Sequence, residues 1–263
     1  MRLKLPQVGT TIGMNSVPGF ITCGEGTSDL YVARDGRQDG PLKIAVDKLL
    51  NSFWRDSHGF EFRAVGRNQL SKATKNQRPK LGAVVRGHKE KYPGLRSVAA
   101  FAACLAQMAQ IEGDDWGVIF FEDLDFHADT DIEDFYKAKI GAMHKGFDLA
   151  QFKKGVPMVP KPRSESWLLC YYQETPYEIG NYFENLAGSD QSLNSGKKRV
   201  ARFFGVHENQ IYGRIKERID DIDWSRIDAP SFVFFKNRLH FVSAALLHEN
   251  YPENLTETNT RIP

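Results

Sequence analysis

Three carboxylates, Glu25, Asp123 and Asp125, each follow a short apolar segment, Gly19-Phe-Ile-Thr-Cys23 or Gly117-Val-Ile-Phe-Phe121. Acids at the ends of apolar strands are well placed to hold a hard cation at the rim of a sheet. In extended chain Asp123 and Asp125 point to the same side, about 6.6 Å apart at Cα, which suits one metal ion or a metal pair. Glu25 stands between Gly24 and Gly26, so backbone can approach a ligand there. Ten acidic residues and no lysine or arginine lie between Glu112 and Asp134. Carboxylates so crowded repel one another unless protonated or offset by a cation, and Mg²⁺ or Mn²⁺ prefers oxygen ligands. Glu122 and the acids at 129–134 read as local helix and surface chemistry. The competing reading of Glu25 is a solvated turn residue, and that of Asp123-Leu-Asp125 is a pair of helix-capping acids.

Positive charge is concentrated elsewhere. From Arg67 to Arg96 there are nine basic residues against Glu90, a local balance of +8, although the chain's net charge is only +2. Lys72, Lys75, Arg78, Lys80 and Arg86 of this stretch, with Lys197, Lys198 and Arg199 further on, are candidate phosphate contacts for nucleic acid; the alternative is a solvated face. Trp54, Tyr92 and Tyr212 are candidates for base stacking or for packing. His127 is either a polar loop histidine or a proton shuttle beside the acids. Cys23, Cys104 and Cys170 lie in apolar contexts without CxxC spacing, which reads as buried thiols in a reducing cytoplasm. No leading apolar segment resembles a secretory signal, and no run is long enough to span a membrane.

The elements that must position these groups alternate. Strands are expected at 19–23, 60–65, 116–121 and 156–159, and helices at 42–54, 95–111, 131–146 and 165–172. The basic stretch 66–96, punctuated by Gly66, Pro79, Gly82, Gly87, Pro93 and Gly94, reads as a mostly irregular insertion. Segments 176–188, 196–218 and 232–247 read as helices, and 250–263 as a polar, loosely held tail. The fold expected is α/β: a mostly parallel four-stranded sheet flanked by helices, with a helical C-terminal extension. Its core would occupy 1–175, including the basic insertion 66–96, and the extension 176–263 would pack on it. In such sheets ligands bind beyond the carboxyl ends of the strands.

The Gly24-Glu25-Gly26-Thr27-Ser28-Asp29 turn, followed at a distance by Phe121-Glu122-Asp123-Leu124-Asp125, resembles the TOPRIM superfamily of topoisomerases, primases and overcoming-lysogenization-defect (OLD) nucleases. Val156-Pro-Met-Val-Pro160, Ser164-Glu165-Ser166-Trp167-Leu168-Leu169 and Ala229-Pro-Ser-Phe-Val-Phe-Phe235 resemble segments of bacterial TOPRIM-like proteins that often look like partners of ATPases in anti-phage or mobile-element loci. The resemblance implies a TOPRIM-like fold and an Mg²⁺- or Mn²⁺-dependent nuclease. Glu25, Asp123 and Asp125 would be its catalytic and metal-binding residues, and Asp29 matches the second acid of the first motif. Glu165 is either a fourth metal ligand or a capping partner of Ser164 that positions Trp167 in the core. The implied partners are nucleic acid and an ATPase or sensor protein, because no P-loop is present in this sequence. A homo-oligomer is compatible with the sequence. The alternative function is a partner-binding module, inactive by itself. A sugar-nucleotide transferase would require neither the Glu25 motif nor the basic stretch.

Overall fold

The computed structural model describes residues 17–24, 39–54, 59–81, 92–124, 131–178, 180–186 and 192–263, without the side chains of 76–81 and 181. Glu25, Asp29, Arg86, Asp125, His127 and Asp129 lie outside these residues, as do the side chains of Arg78 and Lys80.

Strands β1 (Gly19–Cys23), β2 (Glu61–Ala64), β3 (Trp116–Phe121) and β4 (Gly155–Met158) form one sheet in the order β2-β1-β3-β4. Every pairing is parallel, with Cys23 opposite Phe120 and Phe121 opposite Met158. The α/β architecture expected from the alternating pattern is therefore present. β1 and β3 are buried along their whole length, which explains their continuous apolar sequences. Pro157 has no N–H to donate, and β4 accordingly lies at an edge. Arg238 covers that edge by donating from Nε to the Gly155 carbonyl (2.9 Å) and from Nη2 to the Lys153 carbonyl (2.6 Å).

Each face of the sheet buries a separate apolar layer. Ile21, Cys23, Val118 and Phe120 face α2 (Arg67–Leu81), α3 (Leu95–Glu112) and α4 (Ile132–Leu149). Phe20, Ile119 and Phe121 face α1 (Pro41–Phe53) and the C-terminal helices. These are α5 (Ser164–Leu169), α6 (Gly180–Phe183), α7 (Gly196–Phe204), α8 (Ile211–Arg218) and α9 (Pro230–Leu247). Close passage of α3 and α4 depends on Gly146, where an added Cβ would run into Ala99 and Ala102. Trp167 is fully buried, stacks on Phe235 and donates from Nε1 to Ser231 Oγ at 2.8 Å. The Ser-Glu-Ser-Trp and Ser-Phe-Val-Phe-Phe motifs thus meet in the core. All three cysteines are free and buried.

Four expectations are corrected. The basic stretch begins with helix α2 rather than irregular chain: among its described side chains Leu70 and Thr74 are buried, one turn apart on one helical face, and Pro79 falls within its last turn. The 196–218 segment is broken by Gly205, whose φ of +63° ends α7 as left-handed caps do. Within 176–188 the described helix is only Gly180–Phe183. The tail is docked, with Leu255 and Thr260 buried and Arg261 Nη2 donating to both carboxylate oxygens of Asp148 at 2.7 Å. Among the described residues, no helix is long and apolar enough to cross a membrane.

Candidate functional site

From β1 the chain moves outward to β2, then crosses to β3 on the other side of β1 and continues outward to β4. The direction of winding therefore reverses between β1 and β3. At such a switch point the two outgoing connections diverge and leave a crevice beyond the strand ends. The segments that carry Glu25 and the Asp123-Leu-Asp125 motif both leave the sheet there. β1 and β3 are neighbours, the condition for those acids to converge; Glu25 and Asp125 themselves lie outside the described residues.

Just beyond β3 the alternation of side chains separates two adjacent acids. Phe120 faces one apolar layer and Phe121 the other, and Glu122 and Asp123 continue that alternation. Glu122 is only 3% exposed. It accepts from Arg67 Nη1, and its other oxygen lies 3.8 Å from Lys139 Nζ. Arg67 also lies over the Phe101 ring, 4.9 Å from its centroid. Glu122 is therefore a buried, paired carboxylate and not the surface acid expected. Its environment explains why Arg67, at the start of the basic stretch, is occupied within the protein.

Asp123 points the other way, toward α5. Its Oδ1 accepts from the Ser164 N–H at 3.0 Å, satisfying one of the donors that a helix start leaves open. Its carbonyl accepts from Lys139 Nζ, and the next residue, Leu124, donates its N–H to the Pro162 carbonyl at 3.0 Å. Asp123 is thus fixed by its side chain to the start of α5 and by its carbonyl to α4, and the Leu124 N–H ties the chain to the strap that joins β4 to α5.

That strap is anchored by Lys161. Its Nζ lies 2.8 Å from Glu133 Oε2 and 3.2 Å from Glu184 Oε2. Glu184 also accepts from the Ser231 N–H at 2.6 Å. Burial alone would lower the Lys161 pKa, but its bond to Glu133 and the charge of Glu184 outweigh that effect and raise it. Burial raises the Glu184 carboxyl, with Ser231 and Lys161 opposing. The hydrogen bond from Lys161 lowers Glu133 despite some desolvation.

Glu165 follows Ser164 and is 9% exposed. It sits against the start of α7, where a Cβ on Gly196 would come 3.1 Å from the Glu165 Cβ. Glu165, Ser164 and Lys197 line one hollow. Of the other candidate cations, Lys72 and Lys75 are exposed on α2. Lys198 is half-buried in the first turn of α7, and Arg199 donates from Nη2 to Tyr182 Oη at 2.9 Å.

Asp123 and Glu165 present carboxylates on adjoining elements, and Mg²⁺ is commonly held by one or two carboxylates with water and phosphate completing the shell. Among the described residues, no group of three or more histidine, cysteine or acidic side chains is placed to hold a metal. Thiolate chemistry is disfavoured: burial pushes the Cys23 and Cys170 thiols up to about 12. Burial, reinforced by Arg238 and Arg261, lowers His144 to about 3, so it is neutral throughout the physiological range.

Lys139, Lys161 and Glu184 were not singled out from the sequence. The available signals were Lys139 among the apolar positions of α4 and Lys161 between two prolines. Neither identifies a partner.

Fold and site together define an α/β protein with carboxylate-bearing chain at the switch point of a parallel sheet. No protein family, curated protein or solved structure matches the chain.

Proposed function

We propose that this chain is a divalent-metal-dependent nuclease of TOPRIM type that hydrolyses phosphodiester bonds of DNA or RNA. The observation that carries the reading is the attachment of Asp123 to the start of α5 beside Glu165, at the switch point between β1 and β3. Asp123 and Glu165, with Glu25 and Asp125, would hold Mg²⁺ or Mn²⁺. The cation would supply charge neutralisation at the phosphodiester and an activated water. The chain's own work is positioning. Ser164 N–H and Lys139 keep Asp123 in place, and Glu25 serves as a ligand or as general base toward the water. The basic side chains would bind flanking phosphates without regard to sequence. An ATPase partner and a role in antiviral defence belong to the same proposal and rest on the motif resemblance.

Purified protein is tested for cleavage of DNA and RNA with Mg²⁺, with Mn²⁺ and with chelator. An amide at position 123 still offers an oxygen to the Ser164 N–H, so Asp123→Asn should preserve the local fold. Asp123→Asn combined with Asp125→Asn should reduce cleavage roughly 100-fold or more, the scale of removing a charge-stabilising group. Cleavage that survives in the double variant, or that proceeds in chelator, refutes the assignment.

A further inference from the structure

We propose that the outer edge of β2 pairs with the same edge of a second copy of this chain, joining two four-stranded sheets into one across a two-fold axis. The proposal does not depend on the nuclease reading. Of the two sheet edges, that of β4 is covered by Arg238. β2 has no such cover among the described residues. Glu61 and Val65 donate their N–H groups to the Pro18 and Thr22 carbonyls of the β1 chain, at 2.9 and 2.8 Å. Backbone groups alternate in direction along a strand, so Phe62 and Ala64 turn their N–H and C=O groups away from β1. Among the described residues those groups meet no backbone partner, and Ala64 is exposed. An open row of this kind is a template for another strand.

A two-fold axis perpendicular to the sheet makes the two edges antiparallel, and the edge sequence then fits itself in one register. Phe62 lies opposite Phe62 of the partner subunit as a hydrogen-bonded pair. Glu61 lies opposite Arg63 of the partner subunit, in a non-hydrogen-bonded pair whose Cα atoms come within about 4.5 Å. The two-fold axis repeats that ion pair. On the face that carries Phe62, Phe60 meets Ala64 of the partner subunit, a large residue beside a small one. Slipping one strand by two residues keeps the backbone bonds but sets Arg63 against Arg63, or Glu61 against Glu61. Like charges directly opposite destabilise a strand pair, so the charges select the register as well as the partner.

The side chains are already held for this contact. Arg63 donates from Nη1 to Glu112 and lies over the Trp116 ring, 5.2 Å from its centroid. It is still 49% exposed, and a guanidinium has further donors to offer. Phe62 is half-buried, 6.0 Å from the Phe20 ring, with Lys43 Nζ 3.9 Å from its own centroid. Residues 60–64 from each copy make a small interface, at the low end of specific contacts, so the dimer is reversible.

Sedimentation velocity over a dilution series tests this on the full chain. The unmodified protein should show a monomer–dimer equilibrium. Glu61→Arg and Arg63→Glu should each weaken dimerisation roughly ten-fold. An equimolar mixture of the two variants should recover it, because every arginine then faces a glutamate. Ala64→Pro removes an outward N–H without touching a bond to β1 and should also weaken the dimer. Thermal melting checks that the variants fold; if Arg63→Glu melts early through loss of its Glu112 bond, Glu61→Arg and Ala64→Pro carry the test. An unmodified chain that remains monomeric at roughly 0.3 mM, where weak specific contacts associate, overturns the proposal. So does a dimer that Glu61→Arg and Ala64→Pro leave undiminished, or a mixture of folded charge variants that stays monomeric.

Discussion

Replacing Lys161 by methionine removes the cation that ties the β4–α5 strap to Glu133 of α4 and to Glu184, just after α6, while keeping much of its apolar length. The Lys161 side chain is 11% exposed and that of Glu184 only 2%. The variant therefore leaves a buried carboxylate with the Ser231 N–H but without its ion-pair partner. Breaking a buried pair from one side costs about 3–5 kcal/mol. The remaining Ser231 bond and the half-exposed Glu133 place the expected loss near the lower figure. A loss of about 3 kcal/mol corresponds to a fall in Tm of roughly 6–12 °C for a domain of this size.

The pH dependence gives Lys161 a signature of its own. Its folded pKa is raised above the ordinary 10.5, so folding binds its proton more tightly. That stabilisation is fully present below pH 10.5 and disappears as pH rises through the folded value. Lys161→Met should lack this alkaline loss. Because Pro162 and Ser164 of the same strap hold Leu124 and Asp123, the variant should also bind Mn²⁺ more weakly, and Lys161→Arg should restore both properties. Urea unfolding at neutral and alkaline pH, with Mn²⁺ titration by electron paramagnetic resonance, measures these effects. A stability loss below about 0.5 kcal/mol, the range of ordinary surface substitutions, or an unchanged alkaline limb would refute the reasoning.

Glu122→Gln should destabilise by about 2 kcal/mol, because it removes the negative charge that faces buried Lys139 and Arg67. A shift of the urea midpoint at constant m-value would show this, whereas an unshifted midpoint would return Glu122 to the solvated surface. Burial raises the pKa of all three thiols, to about 12 for Cys23 and Cys170. A thiol reagent at mildly alkaline pH should therefore label none of them in native protein and all three in urea, with prompt native labelling as the contrary result.

The strands and most of the long helices were legible because their signals are local. β1 and β3 read as uninterrupted apolar runs, and α3 and α4 have apolar residues at helical spacing. α2 was not legible: among its described side chains only Leu70 and Thr74 are buried, too few to outweigh nearby glycine and proline. The tail was misjudged for a related reason. Its docking depends on Thr260 and Arg261 meeting Arg238 and Asp148, and polar composition alone reads as solvent-facing chain.

The sequence by itself determined the four strands and the helices of strong periodicity, and that Glu25, Asp123 and Asp125 follow apolar segments, because side-chain periodicity is a property of neighbouring residues. Only the tertiary structure decided that β1 lies beside β3, creating the switch point from which those segments leave. It also decided that, of two adjacent acids, Glu122 is buried by Arg67 and Lys139 while Asp123 receives the Ser164 N–H. Those outcomes depend on pairings between residues as much as 55 positions apart. Such pairings are selected by packing and desolvation in the assembled layers, and no local pattern encodes them.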